Sequence, residues 1–316
     1  MCAHQGVCGT GTSFCSSPDW QLSFGPACDG NEVPLGEDTS KALRPTLGIV
    51  PYGVSISHCT VNGKVALAFD DGSFIYTSEL LNIPKKNGVR ATFLVVGNNG
   101  GKGQIEPAST GYPAIIQRMY SDGHQIGSHS RSHQNMSQLT AQQRHDQITR
   151  DKIALVDILG FFPTYFRPPY TQCSADCSND LGALGYHVVN YDIDTRDWQG
   201  DYTYAQNTYT PPPRRGYLWL MISNQTQSMG FAQYMIDQAE KLGYELVTLG
   251  QCLGDPEANW YRDSTNGQSW TGRAYYFVGI NSDYCSDTND DYATNCQNNY
   301  CTGFNNDCST DSDNDH

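Results

Sequence analysis

His129 and His133, in the run Gly127-Ser-His-Ser-Arg-Ser-His133, share a chain with the carboxylate pair Asp70-Asp71, which closes the apolar run Val65-Ala-Leu-Ala-Phe69. Two imidazoles at that spacing can reach one ion, and a carboxylate from another strand completes a facial site of two His and one carboxylate with open positions. The second carboxylate of the pair is then left to act as a base toward a water. Neither feature is informative alone: an Asp-Asp at a strand end is commonly a solvated turn, and an isolated His-x-x-x-His arises by chance. Together they point to a metallohydrolase.

Such a site needs a framework that brings distant segments together. From Thr60 to about Trp260 apolar strands alternate with helical patterns, which implies a parallel sheet or barrel. The pattern predicts strands at Val65–Phe69, Ala91–Val96, His187–Tyr191, Tyr217–Ile222 and Tyr244–Leu249, and helices at Pro113–Ser121, Thr140–Leu159 and Phe231–Leu242. Several strands end in residues with chemistry: Asp70 and Asp71, Asp192 and Asp194, and Ser223 with Asn224. Barrel folds carry their sites at the carboxyl ends of strands and in the loops that follow. His124 and His187 fall at strand starts instead, which predicts structural roles, and His145 lies mid-helix among Gln and Arg, facing solvent.

The 316 residues suffice for one large α/β domain with appendages. Charged residues make up only 16% and 20 tyrosines are present, so the surface is expected to be neutral and polar, as in extracellular carbohydrate-active proteins. A net charge of −14 argues against nucleic-acid partners and anionic membranes, and no apolar run reaches the ~18 residues of a membrane span. Twelve cysteines, an even number, suit disulfide pairing in an oxidising compartment; metal binding is the other use of cysteine, but no zinc-ribbon CxxC spacing occurs. A secreted protein, in the extracellular space or cell wall, is expected; no leader precedes Cys2, so a mature chain with its signal peptide removed is the simplest expectation.

Three segments are predicted. Residues 1–45 are a Gly-, Ser- and Cys-rich lead-in, in which Cys15-Ser-Ser-Pro-Asp-Trp20-Gln-Leu-Ser-Phe24-Gly-Pro-Ala-Cys28 faintly resembles a hevein-type chitin-binding module. With four cysteines where such modules use eight, it reads as a stapled cap or as a degenerate form of that module. Residues 46–263 form the main domain. Residues 264–316 are an acidic, Asn- and Asp-rich extension with four cysteines and a tail expected to be disordered; a calcium loop is conceivable there, although no Gly and Glu complete an EF-hand pattern.

Four motifs in order carry a family resemblance: Phe69-Asp70-Asp71-Gly72, His129-Ser130-Arg131-Ser132-His133, Arg167-Pro168-Pro169-Tyr170 and Asp194-Thr-Arg-Asp197-Trp198. The set resembles the polysaccharide deacetylases, carbohydrate esterase family 4, which share the NodB-like domain. Further segments are similar to fungal chitin deacetylases: Val50-Pro-Tyr-Gly leading into Cys59-Thr, Gly97-Asn-Asn-Gly-Gly-Lys102, and Gly243-Tyr244 before Val247-Thr-Leu-Gly-Gln-Cys252-Leu-Gly-Asp255. The resemblance covers residues 48 to about 263 and implies a distorted (β/α)7 barrel. It implies that Asp71, His129 and His133 hold a metal, usually Zn2+ and otherwise a divalent ion such as Co2+. Asp70 would be the general base, Arg167 its ion-pair partner, and Asp197 the brace on Arg167. The Tyr170 backbone N–H would meet the oxyanion, Trp198 would wall the acetyl or sugar pocket, and Ser130 and Ser132 would brace the histidine loop as donors. Cys59–Cys252 and Cys173–Cys177 match bridges expected in fungal members. The implied activity is hydrolysis of N-acetyl groups on chitin or chitooligosaccharides, cleavage of a non-peptide carbon–nitrogen bond by a protein expected to be monomeric.

One motif breaks the pattern. The family's fifth motif ends a late strand with Leu-x-His-Asp, whose His protonates the leaving nitrogen; here that strand reads Leu220-Met-Ile222-Ser-Asn224-Gln-Thr226, and no His lies between His187 and His316. Ile222 and Asn224 are the substrate-side candidates at this position. An amide can donate a hydrogen bond but cannot surrender a proton at neutral pH. Weakened activity is therefore expected, tilted toward O-acetyl esters, whose leaving oxygen departs more easily without protonation. The alternatives are a catalytically impaired chitin binder and an acetylxylan-type esterase. Asn224-Gln-Thr226 and Asn135-Met-Ser137 are also glycosylation sequons, the second expected on an exposed loop.

Overall fold

The most continuously apolar run becomes the centre of the sheet. The computed structural model describes residues 29–98, 102–199, 217–222 and 227–270, with isolated positions at 9, 10, 14, 17, 22 and 203; for 217–222 and 227–229 it describes the backbone alone. Strand β2 spans Lys64–Gly72, and Val65 to Phe69 within it are fully buried, the signature of a strand covered on both faces. The other strands are β1 (Ser55–Ile56), β3 (Thr92–Val95), β4 (Gln125–Ser128), β5 (Phe161–Pro163), β6 (Tyr165–Phe166), β7 (His187–Val189), β8 (Ile193–Asp194), β9 (Tyr217–Ile222), β10 (Glu245–Val247) and β11 (Tyr261–Asp263). A nine-stranded sheet runs β1-β7-β6-β4-β3-β2-β9-β8, with β10 also paired to β2; all its pairings are parallel. β5 and β11 form a separate antiparallel pair. The fold is α/β on a mostly parallel sheet. Among the described residues the hydrogen-bonded order runs from an edge at β1 to an edge at β8 and does not close into a ring.

The helices are α1 (Thr77–Leu80), α2 (Asn82–Lys86), α3 (Tyr112–Ser121), α4 (Ala141–Leu159), α5 (Ala175–Ala183), α6 (Gln227–Lys241) and α7 (Leu249–Cys252). The longest, α4, has both ends written in its sequence. Thr140 and Gln143 form a reciprocal capping box, and Gly160 closes the helix with φ of 79°. Its inner face buries Ile148, Leu155 and Leu159; burial of such side chains contributes about 1.5–3 kcal/mol each. Several predicted elements differ from the expected bounds: the strand begun at His187 stops at Val189, the strand expected at Tyr244–Leu249 is Glu245–Val247, the one expected at Val65–Phe69 runs Lys64–Gly72, and the helix expected from Phe231 begins at Gln227. α5 was not legible, a polar helix started by the Ser174 side chain, and β4, expected only as a strand starting at His124, is a four-residue strand containing Gly127.

Cys59 is bonded to Cys252 and Cys173 to Cys177. Trp270, assigned by sequence to the extension, is buried against Phe161 with ring centroids 5.0 Å apart. Residues 271–316 and most of 1–28 lie outside the described residues, so the acidic extension beyond Trp270 and most of the hevein-like segment are not described. No helix among the described residues is long and apolar enough to cross a membrane.

Candidate active site

Because the strands are parallel, their carboxyl ends converge on one side of the sheet, and the motifs arrive there together. Asp70 and Asp71 lie near the end of β2, His129 directly follows β4, Arg167 directly follows β6 and Asp194 closes β8. His129 Nδ1 lies 2.7 Å from the Arg167 carbonyl oxygen. A carbonyl only accepts, so Nδ1 carries the hydrogen and the Nε2 lone pair faces the site. Nε2 of His129 stands 3.6 Å from Asp71 Oδ1, and Nε2 of His133 stands 3.1 Å from the same oxygen. One ligand atom from each of the three residues lies within 4.8 Å of the other two.

This donor set fits a metal. Asp71 Oδ1 is buried and makes no hydrogen bond among the described residues, although two imidazole nitrogens face it. Two imidazoles and one carboxylate suit zinc, with a position left open for a further ligand. Burial opposes ionisation of Asp71, yet His133, His129 and Lys102 together hold its carboxyl down at about 2. Burial, with His133 alongside, pushes His129 down to about 3, so its imidazole is neutral, as a metal ligand must be.

Asp70 has a different partner. Arg167, fully buried, donates from Nη1 to Asp70 Oδ1 at 2.7 Å. Burial pushes the Asp70 carboxyl up to about 6, against the pull of Arg167 and with a further upward push from Asp71. That value places a carboxylate base close to neutral pH. His129 Nε2 is 3.9 Å from Asp70 Oδ2. The other hydrogen bonds of the Arg167 guanidinium go to backbone: Nη2 to Asn190 O at 3.0 Å and Nε to Val189 O at 3.4 Å. The hydrogen-bonded brace expected from Asp197 is thus supplied by two carbonyls. Asp197 is buried and accepts a hydrogen bond from Thr195 Oγ1 at 2.7 Å.

A cleft of about 340 Å³ opens over these groups, with Asp70, Asp71, His129, His133, Tyr170 and Trp198 in its lining. Tyr170 and Trp198 in that lining are 53% and 52% exposed. The Tyr170 ring meets His133 edge-on, with centroids 4.6 Å apart. Ile222 pairs in register with Asp70, which sets the end of β9 beside the candidate base; Asn224, two residues further on, lies outside the described residues. Every described non-glycine residue with positive φ belongs to this end of the sheet: Asp71, Ser130, His133, Tyr170, Thr171 and Arg196, with φ between 53° and 72°. Such residues cost about 1–3 kcal/mol each and persist where the surroundings over-determine them.

The support lies beneath the histidine loop. Ser132 donates from its N–H and Oγ to Gln147 Oε1 at 2.8 and 2.9 Å, whereas Ser130 Oγ accepts from the His133 N–H at 3.1 Å. Only Ser132 therefore acts as the side-chain donor expected of both. Between them, Arg131 makes a buried two-pronged ion pair with Glu106 at 2.9 and 3.0 Å. Lys102 Nζ donates to the backbone carbonyls of Gly72 at 3.1 Å and Asp71 at 3.4 Å. Sequence reading missed Tyr191, Thr171, Lys102, Glu106 and Gln147. Tyr191 and Thr171, which line the cleft, follow a strand end and a motif and were within reach of the strand-end rule. Gln147 and Glu106 show no signal until the fold places them. Asn135 is half-buried and its side chain accepts from the Ser137 N–H, so this sequon is less open than expected.

Fold and site together set a triad that could hold a metal ion at the carboxyl ends of a mostly parallel α/β sheet. The family model for polysaccharide deacetylase matches residues 57–189. A chitin deacetylase of Pestalotiopsis sp is 40% identical over 235 residues, which cover 72% of this chain and 76% of that protein. A chitin deacetylase of Colletotrichum lindemuthianum is 39% identical over 225 residues, 67% of this chain and 88% of that one. Among solved structures, the chitin deacetylase from Colletotrichum lindemuthianum superposes with a TM-score of 0.64 at 38% identity, covering 68% of this chain and 97% of that one. The Bc1960 peptidoglycan N-acetylglucosamine deacetylase gives a TM-score of 0.57 at 27% identity over 65% of this chain and 95% of that one. The chain belongs to the polysaccharide deacetylase family.

Proposed function

We propose that this protein removes N-acetyl groups from chitin or chitooligosaccharides, releasing acetate, and that it does so with a divalent metal held by Asp71, His129 and His133. The observation that supports this most strongly is the pairing of two differently equipped carboxylates: Asp71 Oδ1 faces two imidazole nitrogens, while Asp70 is gripped by Arg167. Asp71, His129 and His133 would hold the zinc, which would supply Lewis acidity toward the acetyl carbonyl and the attacking water. The protein's own groups do the rest. Asp70 takes the proton from the attacking water, held in place by Arg167, whose orientation is fixed by the Val189 and Asn190 carbonyls. The Tyr170 N–H donates to the oxyanion that develops on the acetyl oxygen. Trp198 and Tyr170 offer apolar faces for the acetyl group or sugar ring. We read the parallel sheet as part of a distorted (β/α)7 barrel, in a monomeric, secreted or wall-associated enzyme stapled by disulfides.

The step that follows is the weak one. Breaking the carbon–nitrogen bond requires a proton on nitrogen, and a positioned acid is typically worth about 10²–10⁴ in rate. With Asn224 at the expected acid position, Asp70 is the group that can pass on the proton it has taken. N-acetyl hydrolysis is then slowed more than O-acetyl hydrolysis. The same absence favours the second reading, a chitin-binding relative that keeps metal and cleft without turnover. An acetylxylan-type esterase is the third. Acetate release from chitin pentamer and from acetylated xylan, with Asp70→Asn as control, separates them. Asp70-dependent release from the pentamer supports the deacetylase, release from xylan alone the esterase. Pentamer binding without release from either substrate supports the binder.

A further inference from the structure

The amino-terminal segment reaches the histidine loop through one buried amide. Gln147, on the inner face of α4, is fully buried. Its Oε1 accepts from Ser132 N–H and Oγ at 2.8 and 2.9 Å, and its backbone carbonyl accepts from Arg131 N–H at 3.1 Å. One residue thus holds the Ser130–Arg131 and Arg131–Ser132 peptide units, in a loop where Ser130 and His133 carry φ of 72° and 54°. The far end of the same amide, Nε2, donates to the Gly30 carbonyl at 3.3 Å. That contact fixes which way round the amide sits. Ser132 presents a backbone donor, which only Oε1 can meet, and Gly30 presents an acceptor, which only Nε2 can meet.

Gly30 is itself clamped. Its carbonyl accepts from Arg150 Nη1 at 3.0 Å, and the same nitrogen reaches Asn31 Oδ1 at 3.3 Å. Further along, Lys152 Nζ donates to the Thr39 carbonyl. Gln104 donates to Glu32 from the loop that also carries Lys102 and Glu106. Residues 30–39 are therefore laid along α4 and touch two of the segments that support the candidate metal ligands.

We propose that Gln147 is a positioning residue that couples the Gly30 segment to the histidine loop, making that part of the lead-in a working support of the metal site. The proposal rests on the reading of Asp71, His129 and His133 as metal ligands. Gly30 orients the amide, the amide pins Ser132, and Ser132 fixes the strained turn that aims His133 Nε2 at Asp71. Outer partners of metal ligands typically govern about 10- to 100-fold in metal affinity or activity.

The test uses the full chain with Gln147→Glu, Gln147→Leu, Arg150→Met and His133→Ala. Zinc affinity is read by competition with a chromophoric chelator, and amide exchange of the metal-free proteins is read by mass spectrometry over residues 29–39 and 128–134. Gln147→Leu is expected to lose roughly 10- to 100-fold in zinc affinity. Gln147→Glu keeps an acceptor for Ser132 but sets an oxygen against the Gly30 carbonyl, so it too should bind zinc more weakly and exchange faster in both segments. Arg150→Met touches neither the loop nor the amide. If the coupling holds, it frees residues 29–39, speeds exchange at 128–134 and lowers zinc affinity roughly 3- to 10-fold. Faster exchange at 29–39 with unchanged exchange at 128–134 and unchanged zinc affinity would overturn the proposal, as would wild-type behaviour of Gln147→Glu. If Gln147→Leu fails to fold, the other two variants still decide. Zinc binding by His133→Ala equal to that of the parent would instead sink the metal reading, and the exchange data would still judge the coupling.

Discussion

At the amino-terminal ends of the strands, His124 and His187 are buried against aromatic rings, whereas at the carboxyl ends His129 and His133 face a carboxylate. His124 Nδ1 accepts the Ala91 N–H at 3.1 Å and its ring meets Phe93 edge-on at 5.2 Å. His187 Nδ1 contacts the Pro51 carbonyl at 3.0 Å, with Tyr52 stacked at 4.1 Å. His129 makes a similar backbone bond through Nδ1, to Arg167 O at 2.7 Å. The difference lies at the second nitrogen. In His129 and His133 Nε2 converges on Asp71, while in His124 and His187 it has no hydrogen-bond partner among the described residues. The backbone divides in the same way, since all six described non-glycine residues of positive φ sit in or beside the motifs at the carboxyl end. A buried imidazole alone therefore says nothing of function; the group that faces its free nitrogen does, and strain marks the end where geometry has been imposed.

The comparison predicts that substitutions at the carboxyl end fall on chemistry and those at the base on stability. The largest effect is expected from Asp70→Asn, which should lower acetate release on the order of 10²–10⁴-fold with little change in melting temperature. A comparable loss from His124→Gln would break the comparison. Next comes Asn224→His, expected to raise N-acetyl hydrolysis by up to about 10²-fold and O-acetyl hydrolysis by less; equal gains on both substrates would refute the leaving-group argument. Replacing Cys59 and Cys252 together by alanine should cost about 2–4 kcal/mol of stability, measured by denaturant unfolding, and leave acetate release by the folded protein within about twofold.

The smallest effect concerns pH. Burial pushes His124 down to about 4 from its ordinary 6.5. Protons then bind the unfolded chain more readily, so the His124 contribution is present above pH 6.5 and is lost as pH falls toward 4. At 1.36 kcal/mol per unit the window carries roughly 3 kcal/mol. His124→Gln should flatten the stability profile between pH 4 and 6.5 while leaving the shape of the activity profile unchanged.

Much of the site was legible because its residues are chemically rare and ordered along the chain. Asp70 and Asp71 lie near the end of β2, His129 and Arg167 directly follow β4 and β6, and His133 sits in the loop beyond β4, where residue type and fold rule agree. β2 and α4 were legible for the same reason, one an unbroken apolar run, the other capped by Thr140 and Gly160. What escaped depends on long-range closure. The brace on Arg167 is made by the backbone of Val189 and Asn190, and carbonyls have no residue type to read. Gln147 resembles any polar residue of a helix until Ser132 and Gly30 are placed on either side of it. Glu106 and Arg131 form their ion pair across 25 residues, a distance over which sequence gives no register.

The central claim is a division of labour between neighbouring carboxylates, and zinc affinity measured beside acetate release in Asp70→Asn and Asp71→Asn tests it most directly. The account predicts that Asp70→Asn binds zinc within a few-fold of the parent, the latitude expected of a residue outside the ligand set, and loses turnover, whereas Asp71→Asn loses both. Zinc loss as severe in Asp70→Asn as in Asp71→Asn, or parental zinc affinity in Asp71→Asn, would contradict it.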